Sequence, residues 1–205
     1  MRDFSTIEYL REGNPRQQKA YKTMMDIKIM DLLAPYQPVL AGTIPLGIDL
    51  PASDLDIICE VYDHEKFQRD AELLFGGYED FRCKPKIVNG VMRTVANFAA
   101  GGFPFEIFAQ SVPVTGQNAY KHMVIEHRIL ELAGAQASRE IRQRRQQGMK
   151  TEPAFADWLG LPGDPYAALL ELYDWEDRRL AEFVYTAALS HKISSTCIGK
   201  GGMHD

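Results

Sequence analysis

Hydrophobic and polar positions alternate most regularly in two stretches. In "DLDIICEVY" (54–62), Leu55, Ile57, Cys59 and Val61 fall on one side and Asp54, Asp56, Ile58 and Glu60 on the other, the period-two pattern of a half-buried strand. "EDFRCKPKIVNGVMRTVANFAAGGFPFEIFAQ" (79–110) alternates again and is cut by Asn89-Gly90 and Gly101-Gly102, so it predicts three successive strands over about 80–88, 91–99 and 103–110. Before these, Ser5 with Glu8 reads as a capping box for a short helix. Asn14-Pro15 opens a helix expected to run to about Leu33, with Ala20, Met24, Ile27 and Leu32 or Leu33 inward. "PVLAGT" (38–43) reads as a short strand running into a loop with Gly42, Pro45, Gly47 and Pro51, and Asp63 caps a helix to Phe75.

After Val114 the period changes to that of helices. One is closed by Gly134, a polar one by Gly148, a third opens at Asp164-Pro165, and a last covers 174–190. The expected organisation is an α+β core over 1–114, an all-helical region over 115–195, and a disordered tail over 196–205. Met24, Met25, Met30, Trp158, Tyr166, Tyr173 and Trp175 are expected to pack the core.

At 205 residues and 45% hydrophobic composition the chain suits one compact domain with a helical extension. A formal net charge of −5 lacks the basic excess of a general nucleic-acid binder, so no general duplex DNA binding is expected. Neither a membrane-crossing run nor a secretion signal is read in it. Cys59, Cys83 and Cys197 are few and widely spaced, which fits a reducing cytoplasm better than a disulfide framework.

Asp54 and Asp56 raise the question of chemistry. On a strand they point the same way, and two converging carboxylates attract Mg²⁺ or Mn²⁺, which complete their coordination with water and phosphate oxygens. Glu106 stands on the polar side of "FPFEIFA" and supplies a third carboxylate, enough with the other two for a pair of metals about 3.5–4 Å apart. Gly42-Thr43 combines close backbone approach with a hydroxyl beside that site, as phosphate binding requires. Gly42-Thr43, ten residues, Asp54-Leu55-Asp56 and a later Glu106 together resemble the nucleotidyltransferase superfamily, the DNA polymerase beta-like fold. The wider stretches "AGTIPLGIDLPASDLDIICE", "FEIFAQ", "QNAYKHMVIEHRIL" and "KTEPAFADWLGLPGDPYAALL" are similar to a bacterial family of that fold, domain of unknown function 4269. Thr43 replaces the commoner Ser, and Glu106 the commoner Asp.

The resemblance implies a mixed sheet with flanking helices. It implies transfer of a nucleoside monophosphate from an NTP to an acceptor hydroxyl on a small molecule, a protein or an RNA. Asp54, Asp56 and Glu106 would be catalytic and metal-binding, and Gly42, Thr43, Ser53, Lys84 and Lys86 would bind the nucleotide. Several readings stay open. Ser53-Asp54 also reads as a turn cap. Arg82, Lys84 and Lys86 meet a triphosphate or guard an edge strand, and Arg93 is open in the same way. His122 and Glu126 face either a cleft or, by default, a solvated or partly packed helix side; the basic run 139–150 touches an acidic partner or is a solvated surface. A non-catalytic nucleotide-binding module is the alternative function. A glycosyltransferase fits less well, because its Asp-x-Asp normally follows a longer series of βα units.

Overall fold

The computed structural model describes residues 2–88 and 90–198, so Asn89 and residues 199–205 of the expected tail lie outside the described residues. The chain divides into two compact units, Met1–Met123 and Val124–Asp205.

The first unit is built on a five-stranded mixed sheet. Its strands are β1 (Val39–Ala41), β2 (Leu55–Glu60), β3 (Glu79–Val88), β4 (Val91–Ala100) and β5 (Phe103–Gln110). The spatial order is β1-β2-β5-β4-β3, with β2 and β5 parallel and the other pairs antiparallel. Val88 pairs with Val91 at one hairpin, and at the other Gly101 and Gly102 take φ of 57° and 78°, the two positive values that a type I′ turn needs.

Helices α1 (Pro15–Asp26), α2 (Ile29–Leu32) and α4 (His64–Phe75) contribute to the core on one sheet face. Ala20, Met24, Ile29, Phe67 and Phe75 join Leu55, Ile57, Cys59, Phe98, Phe105 and Ile107 there. Phe98 stacks between Phe75 and Phe105 at centroid distances of 5.0 and 4.8 Å, adding roughly 0.5–1.5 kcal/mol per pair beyond area burial. Asn14 and Asp63 cap α1 and α4 as expected, Asn14 within a full capping box.

Four expectations are corrected here. Ser5 does not cap: its N–H donates to Asp3, while the Glu8 carboxylate accepts from Tyr21 and Arg11, leaving a 3₁₀ turn over Glu8–Glu12. The helix from Pro15 does not reach Leu33, because Lys28 adopts φ 53° and splits α1 from α2. That break leaves Met25 48% and Leu32 38% exposed while Leu33 is buried. Residues after β1 do not form plain loop but a helical turn, α3 (Thr43–Leu46).

α5 (Asn118–Gln146) begins in the first unit and continues into the second. The composition changes after Val114, yet the compact unit runs on to Met123, and the Gln117 side-chain amide ties the approach to α5 to the carbonyls of Cys59 and Val112. In the second unit the backbone at Gly134 leaves helical geometry, so α5 is two helical stretches end to end. α6 (Thr151–Leu159), α7 (Pro165–Tyr173) and α8 (Asp177–Ile198) follow. Arg128 donates to the carbonyls of Tyr173 and Trp175 and pairs with Asp177, and the Trp158 indole donates to Glu140. Trp158 is buried as expected, but Tyr166 is 37% exposed. Among the described residues no helix is long and apolar enough to cross a membrane. Cys59 and Cys83 are free thiols.

Candidate active site

The face of the sheet opposite the core carries the polar side of each alternating strand. Register sets its rows. Ala41 pairs with Asp56, Asp56 with Glu106, Glu106 with Asn97, and Asn97 with Arg82. Directly paired residues point to one side and neighbouring strands lie about 4.8 Å apart, so Asp56 and Glu106 are side-by-side carboxylates in the middle of the sheet. Both are half-buried. Asn97 Nδ2 donates to Glu106 Oε2 at 3.4 Å and holds it from the other flank. Sequence reasoning overlooked Asn97, although its phase in β4, in step with Arg93 and Val95, was a readable signal.

Gly42 takes φ 76°, and a β-carbon there would overlap the Asp56 carboxylate. The glycine makes room for Asp56 at the end of β1. Thr43 is half-buried and its hydroxyl lies 3.4 Å from Ser53 Oγ. Ser53 is absorbed by its own loop, accepting the Leu50 N–H at 2.9 Å, while its carbonyl accepts from Arg16. Arg16 also pairs with the buried Asp49 at 2.9 Å. Residues 47–53 are thereby strapped to the start of α1.

Asp54 lies just ahead of β2 and outside its ladder. Register places Asp56 beside Glu106, and among the described residues no three His, Cys, Asp or Glu side chains form a metal-holding group. That pair fits Mg²⁺ or Mn²⁺, since such a cation takes one or two protein carboxylates and otherwise water and phosphate oxygens. Lys84 and Lys86 share the carboxylates' face but stand on the edge strand β3, three strand spacings or about 14 Å from β2. They are exposed and do not gather with the carboxylates.

His122 and Glu126 correct another expectation, because both are buried, at 7% and 3% exposure. Burial, reinforced by the Glu152 carboxylate and opposed by Arg145, holds the Glu126 carboxyl well above the usual range, and its Oε1 has no hydrogen-bond partner among the described residues.

The sequence model of a family described as a domain of unknown function, DUF4269, matches residues 22–172. No curated protein matches the chain. Among solved structures, the Cid1 poly(U) polymerase with MgGTP bound aligns at TM-score 0.50 and 9% identity, over 80% of this chain and 53% of its own. A second Cid1 structure, described for its RNA terminal uridylyl transferase activity, aligns at TM-score 0.50 and 8% identity over 80% and 52%. The GLD-2/RNP-8 complex aligns at TM-score 0.47 and 11% identity over 71% and 57%. The chain spans about half the length of these structures. At these identities the likeness shows the fold alone, a nucleotidyltransferase-like α+β fold.

Proposed function

For this chain, which belongs to the DUF4269 family, we propose metal-dependent transfer of a nucleoside monophosphate from an NTP to an acceptor hydroxyl. The observation that carries the reading is the in-register pair Asp56–Glu106 on the polar face, with Gly42 against one carboxylate and Asn97 on the other. In the proposed reaction the acceptor oxygen bonds to the α-phosphorus. The bond from that phosphorus to the bridging oxygen breaks, and pyrophosphate leaves with the electron pair. The acceptor proton passes to Glu106 and on to solvent. Asp56 and Glu106 would hold Mg²⁺ or Mn²⁺, with Asp54 as a further ligand, and the bound cation would neutralise charge on the phosphates. Gly42 and Thr43 would border the phosphates, whereas Ser53 would shape the loop. The acceptor is a hydroxyl on a small molecule, a protein or an RNA end; Cid1 itself is a poly(U) polymerase.

A second reading is a nucleotide-binding module without turnover. It is favoured by one observation, that among the described residues no three His, Cys, Asp or Glu side chains form a metal-holding group. The test is pyrophosphate release from each of the four NTPs with Mn²⁺ or Mg²⁺, alone and with acceptor pools, in wild type and Asp56→Asn. The transfer reading expects release that Asp56→Asn lowers by at least about a hundredfold, within the range attributed to electrostatic stabilisation of a transition state. Metal-dependent NTP binding with no release from any pool would select the binding module.

A further inference from the structure

A cavity of about 330 Å³ opens in the first unit at the far end of the polar sheet face. Arg93, Phe108, Gln110, Val112 and Gln117 line it, together with Val91 at its rim. Its volume lies at the small end of the range for organic ligands. Gln110 is four residues beyond Glu106 on β5, so the cavity stands about 13 Å along the strands from the carboxylate pair. It therefore forms a separate site.

Three features define what it would hold. Arg93 supplies positive charge. Its guanidinium carbon sits 5.4 Å from the Phe108 ring centre, its neighbours on the adjoining strands are Gln110 and Lys86, and it makes no ion pair among the described residues. Its Nε is buried without a hydrogen-bond partner among the described residues, which leaves the two terminal nitrogens to meet a ligand. Gln110 supplies a carboxamide. Gln117 braces the wall behind it: its amide nitrogen donates to the carbonyls of Cys59 and Val112, and its Oε1 is enclosed beneath the lining. Phe108, Val91 and Val112 supply apolar wall.

We propose that this cavity binds a small hydroxylated organic anion: the anionic group against Arg93, a hydroxyl against the Gln110 carboxamide, and a short carbon body along Phe108 and Val112. Gln110 is 8% exposed and offers a carboxamide to the same ligand. The anionic group is a carboxylate or a phosphate ester, and both present oxygens to a guanidinium in the same way. This site is independent of the transfer reading.

The test is calorimetric titration of the full chain in buffer containing a chelator, so that metal-dependent binding at Asp56 and Glu106 is silent. One arm uses malate and 3-hydroxybutanoate and the other glycerol 3-phosphate, with succinate and butanoate as counterparts lacking the hydroxyl. The expected result is saturable binding of one ligand per chain in one arm. It weakens at least about tenfold in Arg93→Gln, the scale of a lost charge-assisted contact, and in Val112→Phe, which fills the cavity from its rim. It is unchanged in Asp56→Asn. The proposal is overturned if neither arm binds, if counterparts bind as well as hydroxylated ligands, or if folded Arg93→Gln and Val112→Phe both bind like wild type. Loss of binding in Asp56→Asn would also overturn it, by moving the ligand to the carboxylates.

Discussion

At Gly42 the chain leaves β1 with φ 76°, and the space a side chain would occupy is taken by Asp56. Gly42→Ala therefore meets two penalties, a backbone at φ 76° and ψ −153° that costs an L-residue about 1–3 kcal/mol and displacement of the Asp56 carboxylate. Urea unfolding should show at least that loss, and NTP-dependent activity measured on folded protein should fall further than stability does. Glu126 makes the opposite kind of prediction. Burial, then Glu152, raises its folded pKa above the unfolded value of about 4.5, so folding takes up a proton between those two values. Its contribution to stability is full below the unfolded pKa and is lost as pH rises toward the folded one. Glu126→Gln imitates the protonated form and cannot lose that contribution. The melting temperature of Glu126→Gln should match wild type near pH 4 and exceed it increasingly toward pH 8; parallel curves for the two proteins would show that Glu126 does not titrate in this way.

Among the elements, the strap between α1 and residues 47–53 has the clearest consequence. Arg16 reaches from the first turn of α1 to the Ser53 carbonyl and to buried Asp49, and its guanidinium lies 4.8 Å from the Phe103 ring. Removing it takes the ion-pair partner from a buried carboxylate, deletes a charge-assisted hydrogen bond to the Ser53 carbonyl, and frees the loop that leads into β2. Arg16→Ala should lower stability by roughly 1.5–3 kcal/mol, the scale of hydrogen bonds to charged groups. Hydrogen exchange should quicken over 47–54, the approach to Asp54 and Asp56, while the β4–β5 pair keeps its protection.

For the molecule as a whole, the carboxylate pair links folding to cation. Side-by-side half-buried carboxylates repel each other, and a cation that binds only the folded protein adds stability by mass action, about 2.7 kcal/mol at 100 times Kd. Asp56→Asn removes the repulsion along with a ligand. Without metal it should melt at or above the wild-type temperature, and Mn²⁺ or Mg²⁺ with NTP should raise the melting temperature of wild type alone. Equal stabilisation of both proteins would detach metal and nucleotide from this pair.

How far all this could be read from the residues follows from the range of the forces involved. Strand alternation, the Gly101-Gly102 turn and the caps at Asn14, Asp63 and Asp164 are local, each set by a few neighbouring residues, and they were legible. So was the division of β2 and β5 into an apolar and a polar side. The break at Lys28, the turn of helix at Thr43 and the competition of Asp3 for the Ser5 N–H were not, because tertiary packing overrides weak local preference there. Register was out of reach altogether. Strand alternation and the family resemblance grouped Glu106 with Asp54 and Asp56, but nothing near Asp56 in the chain announces that Glu106 is its in-register partner or that Asn97 flanks Glu106. Strand order is decided by which apolar faces bury one another, a sum over residues distant in sequence. The burial of Glu126 belongs to the same class: a helical pattern shows which residues share a side, and only packing settles whether that side meets water.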